Sequence, residues 1–156
     1  MARIEQSITV NVPLKTAYNQ WTQFEDFPEF MDGIEHVEQL DDRRLRWTAN
    51  IAGKEETWDA EIYAQLQDER IAWRATSSAH HEGEAFFRRI DDDHCEVLLT
   101  LDYQPHGVIE AAGDLLGFVR RRVEGDLKRF KSFIETRGRE TGAWRGDIEF
   151  GQVHRP

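Results

Sequence analysis

Apolar residues recur at steps of three and four from Gly107 to Arg139, which predicts one long C-terminal α-helix. From Arg120 onward the opposite side is charged, so this half is amphipathic and needs a partner for its apolar stripe. Gly113 and Gly117 interrupt the first half, which indicates close packing, room for a ligand or a bend in the helix. The predicted stripe consists of Val108, Ala112, Leu115, Val119, Val123, Leu127, Phe130 and Ile134.

The N-terminal part combines one strand with two short helices. Alternation of apolar and polar residues from Arg3 to Val12 predicts a half-buried strand. Pro13 suits the first turn of the helix that follows. The residues at helical spacing are Leu14, Ala17, Tyr18 and Trp21. Asp26 and Glu29 resemble a capping pair, which predicts a second short helix that ends at Gly33. Its apolar residues are Phe27, Phe30 and Met31.

Between Ile34 and Tyr103 the pattern changes to period two, which predicts six strands joined by short polar turns. Each strand has one apolar face, and twisted antiparallel strands of this kind curl. The long helix would fill the concave side without closing it, which leaves an enclosed apolar space. The inward set mixes bulky Trp47, Trp58, Trp73 and Phe87 with small Ala49, Ala60, Ala75, Gly83 and Ala85.

This order of elements, β-αα-β6-α, predicts one α+β domain over residues 1–139, with a curved seven-stranded antiparallel sheet around the long helix. Residues 140–156 are glycine-rich and polar between spaced apolar residues. Three alternatives stay open for this tail: a docked arm on its own sheet, a strand added to a neighbouring subunit in a homodimer, and a flexible segment. Because exposed aromatic side chains forgo burial, we expect Trp144 and Phe150 to be at least half buried, in the same chain or across a dimer contact.

Charge and composition exclude several classes of partner. The formal net charge of -10 disfavours nucleic acid and anionic lipid. No stretch approaches the roughly 18 consecutive apolar residues of a spanning helix, so we expect no stable membrane insertion. The N-terminal residues also lack the pattern of a signal peptide. Cys95 is the single cysteine and forms no disulfide within the chain. We therefore expect a cytoplasmic protein.

The residues that carry catalytic or metal chemistry form no recognisable constellation. The strongest metal candidates are His80 and His81, but neighbouring residues on a strand point to opposite faces. We therefore predict no metal site and no cofactor. Cys95 follows acidic residues at the start of a strand, which predicts a buried, inert thiol. Asp126 lies near the edge of the apolar stripe of the helix, and its spacing from Arg122 and Arg129 predicts an ion pair at the surface or rim.

Five strings carry a family resemblance that runs from about Ile4 to Glu135. They are ITVNVPLKTAYNQWTQFEDFPEFMDGIEHVE, LRWTANIAGKEETWDAEI, RIAWRAT, EGEAFFRRIDDDHCEVLLTLDYQP and FVRRRVEGDLKRFKSFIE. The chain resembles the START-like, helix-grip superfamily, often written SRPBCC, and within it the polyketide cyclase/dehydrase and coenzyme-Q-binding group. The resemblance implies a sheet that grips the C-terminal helix around a pocket for a hydrophobic or amphipathic small molecule. Members range from lipid and quinone carriers to aromatase/cyclases, and no cyclase catalytic position matches this chain residue by residue.

The lining of that pocket follows from the inward faces of the predicted strands and helix. We expect Trp47, Ala49, Trp58, Ala60, Trp73, Ala85, Phe87, Leu99, Tyr103, Leu115 and Val119 to bind the ligand. Polar contacts would come from Asn50, Arg74 or Tyr103. For each aromatic residue, ordinary core packing is the alternative. If Ala60 and Ala85 border open space, leucine at either position should fill that space without strain.

Two functions remain open at this point. In the first, the chain carries or senses a lipid, quinone or polyketide-like molecule. In the second, it is a cyclase or dehydratase that acts in the same cavity with one or two polar groups. An inward-facing charged group with a perturbed pKa would favour catalysis, whereas an entirely apolar cavity would favour carriage.

Overall fold

Nine β-strands, two α-helices and one 3₁₀ helix form the part of the chain that the computed structural model describes, which is residues 2–51, 53–77, 80–104, 112–150 and 152–156. The N-terminal elements are β1 (Ala2–Val10), α1 (Leu14–Trp21) and the 3₁₀ helix (Phe24–Glu29). The meander consists of β2 (Ile34–Gln39), β3 (Arg44–Ile51), β4 (Lys54–Leu66), β5 (Arg70–Ala75), β6 (His80–Asp91) and β7 (His94–Gln104). The C-terminal elements are α2 (Ala112–Arg137), β8 (Asp147–Glu149) and β9 (Gln152–His154).

The first seven strands form one antiparallel sheet in the order β1-β7-β6-β5-β4-β3-β2. Consecutive strands from β2 to β7 are neighbours, which is the meander that the period-two pattern predicted. The first strand, β1, pairs along its length with β7, from Ala2 opposite Tyr103 to Val10 opposite Cys95. It ends two residues before the predicted Val12, because the backbone N–H of Asn11 donates to Glu135 on α2 instead of to a strand. The predicted α+β fold with a seven-stranded antiparallel sheet and a long C-terminal helix is confirmed, and two short strands add to it.

The long helix α2 packs its apolar stripe against the sheet. Val123, Leu127, Phe130 and Ile134 are all buried, as the spacing predicted. The helix ends at Arg137 rather than at Arg139. Gly138 has φ +75, and its N–H donates to the carbonyl of Ile134 at 2.9 Å, which is a left-handed C-terminal cap. The predicted start at Gly107 lies outside the described residues.

An aromatic cluster centred on Trp21 joins α1, the 3₁₀ helix, the sheet and α2. The ring of Trp21 lies 5.4 Å from Phe27, 6.0 Å from Phe87 and 5.1 Å from Phe130, in each case edge to face. Phe30 completes the cluster at 6.4 Å. Aromatic pairs in this geometry add about 0.5–1.5 kcal/mol each beyond the area that they bury. This cluster therefore joins the two short helices, the sheet and α2 in one core.

The second short helix differs from the prediction in type and in its cap. It is a 3₁₀ helix that begins at Phe24, and no side-chain hydrogen bond caps it. Pro28 lies inside it, and proline supplies no N–H for the hydrogen-bond pattern of an α-helix. The carboxylate of Asp26, the predicted cap, accepts a hydrogen bond from the hydroxyl of Thr141 in the tail. The capping pair that the spacing of Asp26 and Glu29 predicted is wrong.

The tail is an extended arm on the chain's own sheet. Strand β8 pairs with β4 at Gln65 opposite Ile148, and β9 pairs with β8. The buried amide of Gln20 on α1 exchanges hydrogen bonds with Thr141, at 2.9 and 3.1 Å. Ile148 is fully buried and Trp144 is partly buried against the core.

Burial of Phe150 within the same chain is ruled out, because its side chain is 100% exposed. It occupies the turn between β8 and β9 with φ +50. A homodimer contact through the tail stays a prediction.

Candidate functional site

An apolar cavity of about 160 Å³ lies between the inner face of the sheet, α2 and the loop that follows the 3₁₀ helix. The sheet contributes Ile34, Trp47, Ala49, Trp58, Trp73, Leu99 and Leu101. The 3₁₀ helix and its loop contribute Phe27, Met31, Asp32 and Gly33, and α2 contributes Val119, Arg122, Val123 and Asp126. The wall is therefore aliphatic and aromatic on the sheet side and charged at one place on α2.

Three tryptophans form the sheet side of the cavity. Trp47 and Trp58 lie directly opposite each other on β3 and β4, with parallel rings whose centroids are 6.2 Å apart. Trp73 on β5 is the third. Its indole lies over Gly83, where a Cβ would come within 2.4 Å of the ring. Glycine at position 83 is therefore what lets the Trp73 ring lie flat against β6.

Trp47 also carries an unused hydrogen-bond donor. Its Nε1 is buried and has no acceptor among the residues that the structure describes. A buried N–H without an acceptor is costly, by about 1–3 kcal/mol. Trp47 lines the cavity, so a ligand oxygen placed within reach of Nε1 would supply the missing acceptor.

Three side chains of α2, which we call the α2 clamp, hold the loop formed by residues 30–33. The clamp consists of Arg122, Asp126 and Arg129. Arg122 Nη1 donates to the carbonyl of Asp32 at 2.8 Å. Asp126 Oδ1 accepts from the N–H of Asp32 at 3.0 Å. Arg129 Nε donates to the carbonyl of Phe30 at 3.1 Å. The clamp residues are spaced by four and three positions, so they share one side of the helix.

The loop requires glycine at position 33 because Arg122 lies against it. Gly33 has φ +87, and a Cβ at this position would lie 1.6 Å from Arg122 Nη1 and 2.9 Å from the carbonyl oxygen of Asn50. Its own carbonyl accepts a hydrogen bond from the N–H of Asn50 at 2.6 Å, which ties the loop to β3. The loop is therefore fixed from both the helix side and the sheet side.

Asp126 is the titratable group with the strongest functional signature in the cavity. Its side chain is only 10% exposed, and burial raises the pKa of its carboxyl to about 6. The hydrogen bonds from Arg129 and from the Asp32 N–H, and the positive charge of Arg122, act in the opposite direction and limit the rise. A carboxyl with this pKa exchanges a proton near neutral pH, which is the property of a general acid or base.

The structure brings together six of the predicted site residues on the cavity wall, namely Trp47, Ala49, Trp58, Trp73, Leu99 and Val119. It places three others in packed core instead, namely Ala60, Ala85 and Phe87. Phe87 packs edge-on against Tyr18 and Trp21 of α1, and α1 therefore covers this part of the sheet. The side chains of Tyr103 and Leu115 lie outside the described part of the structure, although their backbones belong to β7 and α2.

Two of the three predicted polar contacts, Asn50 and Arg74, lie outside the cavity. Arg74 points to the outer face of the sheet, where it pairs with Glu61 at 2.8 Å. The side chain of Asn50 is exposed and accepts a hydrogen bond from the N–H of Gly53 at 3.0 Å. Residues on alternate positions of a strand face opposite sides, and both belong to the outward set.

Sequence reasoning missed the charged end of the cavity. The ion pair of Asp126 with Arg129 was predicted correctly, but its placement at the surface or rim was wrong for the carboxylate, which is buried. The spacing of Arg122, Asp126 and Arg129 was the available signal. The spacing does not show which segment these side chains contact. That segment is the 30–33 loop, and the sequence did not predict its path.

Other candidate chemistry is absent from the described residues or inert. No group of three or more histidine, cysteine, aspartate or glutamate side chains lies close enough to hold a metal in the described part of the chain, and the side chains of His80 and His81 lie outside it. Cys95 is buried, and burial raises the pKa of its thiol to about 11, so it is protonated at neutral pH. None of the described helices is long and apolar enough to cross a membrane.

Comparison with known proteins connects this geometry to a family. The model of the polyketide cyclase/dehydrase and lipid transport family matches residues 10–131. The chain is 51% identical over 149 residues to an uncharacterized 17.2 kDa protein of Streptomyces lincolnensis, covering 95% of this chain and 99% of that protein.

Several solved structures share the fold, including an aromatase/cyclase and a START superfamily protein. The Zhui aromatase/cyclase from Streptomyces sp. R1128 superposes with a TM-score of 0.76 at 21% identity, over 91% of this chain and 98% of that one. A START superfamily protein from Mycobacterium smegmatis superposes with a TM-score of 0.72 at 14% identity, over 86% and 97%. At these identities the likeness concerns the fold alone.

Proposed function

We propose that this chain, which belongs to the polyketide cyclase/dehydrase and lipid transport family, binds a small hydrophobic molecule between its sheet and α2. The observation that carries the proposal is a cavity with a tryptophan wall and, among the residues that the structure describes, one charged end, formed by Asp32, Arg122 and Asp126. The wall would bury the apolar body of a ligand, and each Å² removed from water contributes about 25 cal/mol. The charged end would orient a polar group. A lipid, a quinone or a polyketide-like molecule has such an apolar body with a polar group.

The donor on Trp47 narrows the chemistry of the ligand. A molecule with a carbonyl or hydroxyl oxygen next to its apolar body would accept from Nε1 and remove the cost of an unpaired buried N–H. A pure hydrocarbon would not. We therefore favour oxygenated ligands, such as quinones and polyketide-like compounds, over alkyl chains alone.

The size of the cavity bears on how the ligand enters. Its volume of about 160 Å³ is below the range of about 300–1,000 Å³ that is usual for drug-sized ligands. A larger ligand would have to displace the 30–33 loop, which supplies Met31, Asp32 and Gly33 to the wall. The α2 clamp is the set of contacts that such a displacement would break.

A second function, cyclase or dehydratase, is favoured by the position of Asp126. A buried carboxyl with a pKa of about 6 on the cavity wall can take up or donate a proton at the polar end of a bound substrate. Arg122 beside it would stabilise an enolate or alkoxide oxygen. In this alternative the ligand is a substrate and leaves the cavity as a different molecule.

Native mass spectrometry of the purified protein, followed by solvent extraction, tests the first proposal. We expect an apolar molecule to copurify with the protein. Failing that, we expect a neutral fluorescent probe such as Nile red to bind with an affinity in the micromolar range or tighter. If neither binds, the proposal is wrong. Incubation of any extracted molecule with wild type and Asp126→Asn separates the alternatives. A carrier returns the molecule unchanged from both proteins, whereas an enzyme converts it only in wild type.

A further inference from the structure

The tail crosses the connection between α1 and the 3₁₀ helix through residues 140–146, which we call the strap. Thr22 lies in this connection and is buried, and its hydroxyl oxygen accepts a hydrogen bond from the N–H of Trp144 at 3.1 Å. Gly142 lies against Gln23, since a Cβ at position 142 would come within 2.7 Å of the amide oxygen of Gln23. The strap therefore packs on the point where the chain turns from one short helix into the other.

Thr141 is bonded to both of these helices. Its backbone N–H donates to Oε1 of Gln20 on α1 at 2.9 Å, and its hydroxyl oxygen accepts from Nε2 of the same side chain at 3.1 Å. The hydroxyl group donates in turn to Oδ2 of Asp26 on the 3₁₀ helix at 2.5 Å. Gln20 is 0% exposed, so loss of this hydroxyl would take an acceptor from a buried amide, which buried polar groups rarely lack. One hydroxyl group therefore connects the end of α1 to the 3₁₀ helix.

Arg145 anchors the strap to the sheet and to α1. Its guanidinium group donates to both carboxylate oxygens of Asp68, in the turn between β4 and β5, at 2.7 and 2.9 Å. Nη1 also donates to the side chain of Asn19 on α1 at 2.9 Å, and the guanidinium group lies over the ring of Tyr18 at 5.6 Å. Paired hydrogen bonds between arginine and a carboxylate fix orientation as well as adding stability. The strap is therefore attached at a fixed place beside the two short helices.

The 3₁₀ helix leads directly into the wall of the cavity. Phe27 follows Asp26 in the chain and lines the cavity, and the 30–33 loop follows the helix. The α2 clamp holds this loop, whereas Thr141 holds the helix at Asp26. The wall segment from Asp26 to Gly33 is therefore held at both ends.

We propose that the strap positions this wall segment and slows the exchange of ligand, with Thr141 as the positioning residue. The inference rests on the proposed function, because it concerns access to the same cavity. While the strap is bound, displacement of the 30–33 loop is restricted to the few residues beyond Asp26. When the contacts of Thr141 are lost, the 3₁₀ helix and the loop move together, and the cavity opens more often. The strap lies beyond residues 10–131, which the family model matches, so this restraint comes from outside the matched region.

Hydrogen exchange in the empty protein tests the positioning. Thr141→Val keeps the size of the side chain and removes its hydroxyl group, whereas Thr141→Ser keeps the hydroxyl group. Amide exchange in residues 22–33 should be about fivefold faster in Thr141→Val, as expected for one lost hydrogen bond, and close to wild type in Thr141→Ser. Exchange in β6 and β7 should not change, which separates local opening from a general loss of stability. Arg155→Gln is the matched control, since Arg155 joins the tail to Asp42, between β2 and β3.

Stopped-flow fluorescence with Nile red tests the effect on ligand exchange. Thr141→Val should release the probe about fivefold faster than wild type, whereas Thr141→Ser and Arg155→Gln should release it at the wild-type rate. The association rate should rise as well, because the strap acts on access, so the affinity changes less than either rate. For any molecule that copurifies, native mass spectrometry follows its loss from the same four proteins.

The possible failures of the strap and of the proposed function are distinguishable. If wild type binds a ligand and Thr141→Val releases it at the wild-type rate, the strap inference is wrong and the proposed function stands. Equal exchange of residues 22–33 in Thr141→Val and wild type leads to the same conclusion, as does a Thr141→Ser variant that behaves like Thr141→Val. If wild type binds neither Nile red nor a copurifying molecule, the proposed function is wrong and the strap inference falls with it.

Discussion

The backbone N–H of Asp32 donates a hydrogen bond to Asp126 Oδ1 at 3.0 Å, which joins the loop that lines the cavity to the middle of α2. The acceptor is a buried carboxylate whose pKa is raised to about 6. Loop position, cavity access and protonation of one carboxyl group are therefore physically coupled. This coupling can be tested in the protein without knowledge of its natural ligand.

Ligand binding should depend on pH through Asp126. An apolar ligand removes the remaining water from this carboxyl, which disfavours the charged form and raises its pKa further, so binding is accompanied by proton uptake. We expect the affinity for the neutral probe Nile red to rise by several fold as the pH falls from 7.5 to 5. Fluorescence titration of wild type and Asp126→Asn checks this. Equal pH slopes in the two proteins would contradict it.

The stability of the empty protein should depend on the same group. The pKa of Asp126 is about 6 in the folded chain and 3.8 as its ordinary value. Its favourable contribution to the free energy of unfolding is therefore complete below about pH 3.8 and is lost as the pH rises through about 6.

Asp126→Asn resembles the protonated form, so it should be at least as stable as wild type at pH 7.5 and lose that advantage near pH 4.5. The ion pair with Arg129, whose side chain is 43% exposed, is screened by solvent, so it offsets little of the cost of burying the Asp126 carboxylate. Urea midpoints at both pH values measure the difference. A variant that is much less stable at pH 7.5 would show that the hydrogen bonds of the carboxylate outweigh its burial.

Gly33→Ala should destabilise the protein more than Gly53→Ala. Gly33 has φ +87 and Gly53 has φ +86. Both substitutions therefore force alanine into a left-handed backbone conformation, at a cost of about 1–2 kcal/mol. At Gly53 nothing lies within 4 Å of the added Cβ, whereas at Gly33 the Cβ meets Arg122 and the carbonyl of Asn50. We expect Gly33→Ala also to change Nile red affinity, because the clamp on the loop is displaced. Equal urea midpoints for the two variants would show that the 30–33 loop shifts to accommodate the added Cβ without a cost in stability.

Two alanine positions should separate cavity from core. Ala49 lines the cavity, whereas Ala60 is buried between Leu45 and Ala75 on the neighbouring strands. Ala49→Leu should be nearly neutral for stability and should weaken Nile red binding, since the added side chain occupies open space. Ala60→Leu should cost about 1–3 kcal/mol, because it overpacks a filled region. Thermal unfolding together with probe titration measures both. The reverse ranking would place the open space near Ala60.

Two tail residues should differ sharply in their effect on stability. Ile148 is fully buried on β8, and Ile148→Ala should cost about 2–5 kcal/mol. Phe150 is fully exposed two residues later, and Phe150→Ala should change the free energy of unfolding by less than about 0.5 kcal/mol. Urea denaturation of both variants provides the test. Comparable losses would mean that Phe150 is covered in solution, for example by a second copy of the chain.

Most of the fold follows from the order of residues along the chain. The strands from β2 to β7 and the stripe of α2 were predictable because period two and period 3.6 report directly which side of each element is buried. Val123, Leu127, Phe130 and Ile134 are buried as their spacing indicated. The tryptophan wall followed in the same way, since Trp47, Trp58 and Trp73 are on inward faces of their strands.

Tertiary structure alone decided which inward residues face open space and which face a neighbour. Ala49 and Ala60 have the same local pattern, yet Ala49 borders the cavity and Ala60 lies in the packed core. The same holds for Asp126, whose burial depends on a loop that is 94 residues away in the chain. Local periodicity reports that a side is buried, but what covers it depends on contacts between distant segments. For this reason the charged end of the cavity became visible only in the folded chain.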